Sequence, residues 1–264
     1  MDLVYIVGKD PAHGHVELRY SLRSMFKYLS RIDHVFIVGE RPEFLRDVIH
    51  IPAADKFKYN AGRNIYEKMA TACLHRDLSS HFWCAADDHF LLAPLSQKGY
   101  PYFYLGSLWE TLQKLGKESK FKPYVEATFW ALHDRGLPTK NFNSHLPMIF
   151  QKNIFIELMD SFDWDLSKSY TVKGLYPNAL KIPGVKISDS KFHTSKTKTA
   201  IYRQLAREKA FFFSTNEHSI NEAMIEVLGE LYPNPSPWEI PDHSHFNKII
   251  SIQDLGSNGN KSLK

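Results

Sequence analysis

A chain of 264 residues, 43% hydrophobic and 14% aromatic, carries enough apolar material for one large globular domain, which excludes disorder across its whole length. Its 33 Lys and Arg against 29 Asp and Glu leave a formal charge of +4, which suits a polyanionic partner without choosing among nucleotide, nucleic acid and acidic glycan. Two cysteines, Cys73 and Cys84, with no CxxC pair, exclude a disulfide scaffold and a structural zinc cage and point to a reducing compartment. The N-terminal apolar stretch is too short for a signal peptide and no eighteen apolar residues run together, so the sequence predicts a cytoplasmic protein with no membrane span.

Taken in chain order, residues 3–7 form a short apolar run that stops at Gly8, followed by a loop through Asp10 and a helix with Leu18, Leu22, Met25 and Leu29 on one face. Residues 35–38 repeat the strand pattern and stop at Gly39, which makes a βαβ unit with parallel strands. A short helix is expected around Phe44 and Leu45 after Pro42, a third strand over 49–51, and a helix over 64–75. The apolar run 82–86 reads as a buried strand, with helices following over 105–115 and 154–159. Beyond Asp163 the periodicity weakens, and residues 168–209 hold ten Lys and Arg interleaved with Tyr170, Tyr176, Phe192 and Tyr202, a composition that suits an acceptor-facing lobe. Ser219 and Glu222 have capping-box spacing and predict a helix reaching Tyr232. The polar stretch 256–264 reads as a disordered tail.

Ligands of open α/β sheets bind beyond the carboxyl ends of the strands, and Asp87, Asp88 and His89 directly follow the buried run 82–86. Adjacent carboxylates beside an imidazole suit a divalent cation, Mn2+ or Mg2+, whose remaining positions would be taken by phosphate oxygens and water. Arg19 and Arg23, four residues apart, share a helical face and are candidates for clamping a pyrophosphate. His145, in a polar loop before Pro147, is a candidate general base. Asn216 and Glu217 precede the capped helix, where donor contact or catalysis competes with turn formation. The pairs His13/His15 and His243/His245 have metal-ligand spacing, but thirteen histidines make such pairs expected by chance. Neither a G-x-x-x-x-G-K nor a G-x-G-x-x-G element is present, which argues against a kinase or a dinucleotide enzyme.

The segment Glu17, Leu18, Arg19, Tyr20, Ser21, Leu22, Arg23, Ser24, with Tyr28 and the strand 35–38, resembles the second block of the Stealth family of sugar-phosphate transferases, relatives of GT-A glycosyltransferases. Residues 2–5 with Asp10 and Pro11 resemble a shortened first block, and residues 82–92 resemble the third, in which paired aspartates follow a strand. The resemblance implies a GT-A-like, Rossmann-like α/β fold with a mostly parallel sheet flanked by helices, a nucleotide-diphosphate sugar donor, expected to be UDP-linked, and a divalent metal. With the resemblance, Asp87 and Asp88, beside His89, are expected to ligate the metal and Arg19 and Arg23 to clamp the donor; Asp10 and Asp87 are further candidates for donor contact, and Asp88, His145 and Glu217 are the candidate catalytic residues. Where the family's first block places an acidic residue after its strand, this chain has Gly8 and Lys9, so glycosyl transfer is expected ahead of phosphoryl transfer.

The expected organisation is a nucleotide-sugar core over 1–165, an acceptor-side and closing helical segment over 166–255, and the tail. The acceptor is either a saccharide or a hydroxymethylated base in DNA, as in phage DNA modification, for which the basic aromatic stretch supplies phosphate contacts and stacking. The alternatives are a Stealth-type sugar-phosphate transferase of surface polysaccharide synthesis and a non-catalytic nucleic-acid-binding module.

Overall fold

A computed structural model of the chain describes residues 1–8, 14–58, 60–164, 169–194 and 197–240. Asp10, His13, His243, His245 and the expected tail lie outside the described residues. The fold is mixed α/β around a five-stranded sheet of order β3-β2-β1-β4-β7, made by β1 (Asp2–Val7), β2 (Val35–Gly39), β3 (Ile49–Ile51), β4 (His81–Ala85) and β7 (Met148–Gln151). The first four strands run parallel and β7 is antiparallel to β4. Two small sheets pair β5 (His89–Leu91) with β9 (Phe212–Ser214), antiparallel, and β6 (Phe103–Tyr104) with β8 (Val185–Lys186).

Period-two alternation divides the core between the two sheet faces. Leu3, Tyr5, Ile37 and Trp83 pack with Leu18, Leu22 and Met25 of α1 (Val16–Tyr28). Val4, Phe36, Val38 and Phe82 pack on the opposite face with residues of α2 (Ala61–Leu74), α4 (Lys122–His133), α5 (Lys152–Asp160) and α6 (Val172–Ala179). With helices covering both faces, the strands must be apolar on both sides, which is why β1 and β2 read as continuous runs. A third cluster joins Phe90 and Phe213 of β5 and β9 to α7 (Lys198–Glu208) and α8 (Glu222–Leu231), so the basic part of the chain folds back against the turn that follows β4.

Three local expectations change. The stretch around Phe44 is not helical: Arg46 N–H donates to the Trp238 carbonyl and Ile240 N–H to that of Phe44, so its polar backbone is satisfied across the chain and not along a helix. The helix predicted over 105–115 is α3 (Leu108–Lys114), started by Ser107 in a complete capping box with Glu110. The N-cap of α8 is Asn221, whose side chain accepts from Met224 N–H, whereas Ser219 closes a turn with Asn216. Asn caps a helix as well as Ser does, and the later position wins. Among the described residues, no helix is long and apolar enough to cross a membrane.

Gly39 ends β2 with φ +120°, and a Cβ there would stand 2.0 Å from the Val7 carbonyl oxygen. A Cβ on Gly8 meets nothing within 4 Å. Gly39→Ala is therefore expected to destabilise the fold by more than about 1 kcal/mol in urea unfolding, while Gly8→Ala stays close to neutral.

Candidate functional site

The carboxyl ends of β1, β2 and β3 open into a cleft of about 860 Å³ lined by Val7, Gly8, Glu40, Asp55, Lys56, Lys58 and Lys68. Lys68 is buried, donates to the Val7 carbonyl at 3.1 Å and pairs with Asp55 at 2.8 Å, so one cation ties the end of β1 to the rim opposite. Glu40 also borders a neighbouring cleft of about 750 Å³ that contains His15, Arg19, Arg41 and Phe44.

Beyond β4 the chain turns through Asp87 and Asp88, and α1 holds the turn in place. Ser21 Oγ donates to the His89 carbonyl at 2.7 Å and lies 2.8 Å from the Tyr5 hydroxyl. Ser24 Oγ accepts from Leu91 N–H at 3.3 Å. The last rung of the β1–β4 ladder sets Tyr5 against Ala85. Two residues further on, the strands reach Val7 and Asp87, so the acidic turn emerges on the same edge as the cleft.

Asp88 and His145 come together through residues that sequence reasoning did not single out. His145 Nδ1–H donates to Asp189 at 2.8 Å, and its Nε2 accepts from Lys191 Nζ at 3.0 Å. That same ammonium lies 3.6 Å from Asp88 Oδ2. Lys173 donates to the carbonyls of Leu146, at 2.7 Å, and Ser144, pinning the loop on which His145 is carried. Burial holds the Lys173 ammonium down to about 8, against the upward pull of Cys84, Asp88 and Asp189. Burial raises the Asp189 carboxyl, but the His145 hydrogen bond and the ammonium groups of Lys191 and Lys173 outweigh it and hold it below its ordinary value. Burial pushes the Cys84 thiol up to about 12, which leaves it protonated and unreactive.

His89 is buried, and burial first, then Lys173, His145 and Lys191, keep its imidazole well below the ordinary value, hence neutral. Its Nδ1 accepts from Ala86 N–H at 3.3 Å, which places the ring hydrogen on Nε2, 3.8 Å from Asp88. The ring is thus committed to the turn. Among the described residues no three His, Cys, Asp or Glu side chains form a metal-binding group, Asp87, Asp88 and His89 included. Asp88 fits a cation on other grounds: it is half-buried and among the described residues it accepts no hydrogen bond, with the Lys191 ammonium at 3.6 Å as its cationic neighbour.

The remaining candidates separate. Arg23 is engaged by the protein itself, bonding Glu239 through Nε at 3.0 Å and one terminal nitrogen at 2.7 Å, with a further contact to the Tyr232 carbonyl. Arg19 stays at the cleft, its guanidinium 4.3 Å above the Phe44 ring and 3.5 Å from Glu239. Glu217 is exposed and lies 3.4 Å from the His218 ring, and among the described residues no contact joins it to Asp88 or His145. Asn216 accepts from the backbone of His218 and Ser219, the turn-forming role. Asp189, Lys191 and Lys173 were missed because their meeting is through space, on segments whose local pattern shows only basic composition.

No family model matches the chain, and no curated protein matches it in sequence. Among solved structures it is similar to the galactosyltransferase LgtC in complex with donor and acceptor sugar analogues, at 12% identity and a TM-score of 0.45 over 93% of this chain and 99% of that one. Mouse xyloside xylosyltransferase 1, apo form, is similar at 9% identity and 0.39 over 83% and 99%. The apo-form glycosyltransferase GlyE of Streptococcus pneumoniae TIGR4 follows at 11% and 0.36 over 96% and 64%. Likenesses of this degree leave the activity to be argued from the site.

Two outcomes follow from this geometry. Glu239 is fully buried, so Arg23→Ala leaves an under-paired carboxylate and is expected to cost about 3 kcal/mol in chemical unfolding, a loss that a purely ligand-binding arginine would not show. Asp189, whose folded carboxyl is depressed, contributes stability that is present above its ordinary 3.8 and lost as pH falls through the lower folded value. Asp189→Asn should therefore flatten the stability profile below about pH 4 relative to the parent, and an unchanged acid limb in paired denaturation curves would refute the assignment.

Proposed function

We propose that the chain transfers a sugar from a nucleotide-diphosphate sugar to a hydroxyl group, with the donor in the cleft at the ends of β1 to β3 and the reacting bond beside Asp88. The observation that carries the reading is one juxtaposition: a half-buried Asp88, just beyond a strand of a parallel sheet, linked through the Lys191 ammonium to a histidine oriented by a carboxylate. The exposed Lys56 and Lys58 suit the phosphate side of a nucleotide, and Glu40 and Asp55 suit its hydroxyls. Arg19 faces the adjoining cleft and supplies a further cation at the donor edge.

In this reading Asp189 holds His145 with Nδ1 protonated, which leaves Nε2 as the proton acceptor. The acceptor hydroxyl gives its proton to Nε2 as its oxygen bonds to the anomeric carbon, and the bond from that carbon to the diphosphate oxygen breaks. Lys173 fixes the loop that positions the base. A divalent cation, Mn2+ or Mg2+, held by Asp87 and Asp88 together with donor oxygens and water, would neutralise the charge on the departing diphosphate. A UDP-linked donor and a saccharide acceptor form the leading pair. The basic exposed residues Arg203, Arg207 and Lys209 at α7 keep a DNA acceptor as the second reading.

Incubation with a panel of nucleotide sugars and Mn2+ is expected to release nucleoside diphosphate and add one sugar mass to a saccharide acceptor; a mass gain only on hydroxymethylated DNA selects the second reading. Asp88→Asn should abolish donor cleavage with the melting temperature preserved, and His145→Ala should lower kcat by roughly 100- to 10,000-fold. Undiminished turnover in both variants would remove the site from the reaction.

A further inference from the structure

Lys191 occupies a position that the proposed chemistry needs vacated. Its ammonium donates to His145 Nε2 at 3.0 Å, the lone pair assigned to the acceptor proton, and sits 3.6 Å from Asp88, the carboxylate assigned to the cation. One side chain thus caps both reacting groups.

The other ammonium in the cluster is differently held. Lys173 is fastened to two backbone carbonyls and buried, so leaving would strand both acceptors. Lys191 makes no backbone hydrogen bond with its side chain among the described residues, and that side chain is 23% exposed. Its main chain, by contrast, is fixed: Lys191 forms a bridge with Ser214, Phe192 N–H donates to the Ser214 carbonyl, and the Phe192 ring is buried. A flexible four-carbon stem on an immobile base moves its charge by rotamer change alone.

We propose that Lys191 couples donor binding to activation of the site: without donor its ammonium caps His145 and Asp88, and an arriving nucleoside diphosphate draws it onto the phosphate oxygens, uncovering both. The attraction is the ordinary preference of an ammonium for a doubly charged partner over an imidazole nitrogen and a carboxylate beyond hydrogen-bond distance. The consequence is a base that is free only when there is a sugar to transfer, and a cation site that is favourable only when the diphosphate is present.

This inference rests on the donor reading, and calorimetry with Mn2+ alone and with uridine diphosphate separates the two. In the parent protein, uridine diphosphate with Mn2+ binds and Mn2+ alone binds weakly. Lys191→Met is expected to tighten binding of Mn2+ alone, since Asp88 loses its competing cation, and to weaken uridine diphosphate on the order of tenfold, about one charge-assisted hydrogen bond. In steady state the loss should fall on KM for the donor, with Lys191→Arg recovering most of it. Opposite changes for metal and nucleotide are not produced by a damaged fold, which weakens both. If Lys191→Met leaves nucleotide affinity and Mn2+ affinity where they were, the coupling is overturned and the donor site stands. If the parent binds no nucleoside diphosphate from a panel of four, the donor reading and the coupling fall together.

Discussion

The hydroxyl of Ser21 is the contact on which the candidate site depends. It sits on α1, fully buried, and joins the Tyr5 hydroxyl on β1 to the His89 carbonyl at the end of the acidic turn. A longer side chain there would push the helix off the sheet, and an apolar one would leave a buried carbonyl without a donor. Glu17, Ser21 and Ser24 share one face of α1 and each meets the segment after β4 or its partner β9: Thr215 Oγ1 donates to Glu17, Ser21 binds His89, and Ser24 binds Leu91. Residues 17–24 are thus, in this fold, the cradle of the acidic turn.

Charge balance governs what that cradle can hold. Asp88 and Asp189 face Lys173 and Lys191, while burial keeps His89 neutral. Two acids against two ammonium groups leave the cluster neutral without ligand. A diphosphate adds negative charge that these residues alone do not offset, so a donor and a divalent cation are mutually favourable occupants. Tyr5 belongs to the same balance: its burial, which the Ser21 hydrogen bond only partly offsets, and the nearby charges of Asp87 and Cys84 drive its hydroxyl far above the ordinary range. It serves as a neutral donor or acceptor and nothing more.

The central strands and α1 were legible because burial on two faces writes itself as continuous apolar runs and as a stripe at helical spacing. The acidic turn was legible for the same reason, since charge directly after such a run marks a strand end. What could not be read was pairing across sequence distance. Asp189 and Lys191 lie more than forty residues from His145, and β9 is a three-residue strand whose partner is set by the packing of Phe90 against Phe213. Helices α6 and α7 were missed where the pattern weakens: α6 has Pro177 inside it and is buried over most of its length, so it shows no polar face.

Arg19 and Arg23 show where spacing stops being informative. Four residues on a helix amount to 400°, so the two share a face to within 40° but stand about 6 Å apart along the axis. That displacement is enough to give them different surroundings. Arg23 reaches Glu239 and the Tyr232 carbonyl, closing the far end of the chain onto α1. Arg19, nearer the start of the helix, reaches the cleft beside Glu40 with only a 3.5 Å ion pair to share with Glu239. A single buried carboxylate thereby sorts two similar arginines, satisfying one as structure and leaving the other oriented but electrostatically unspent. The second state is the one an anionic ligand can use, because the cost of ordering the side chain has been met by packing on Phe44 before the ligand arrives.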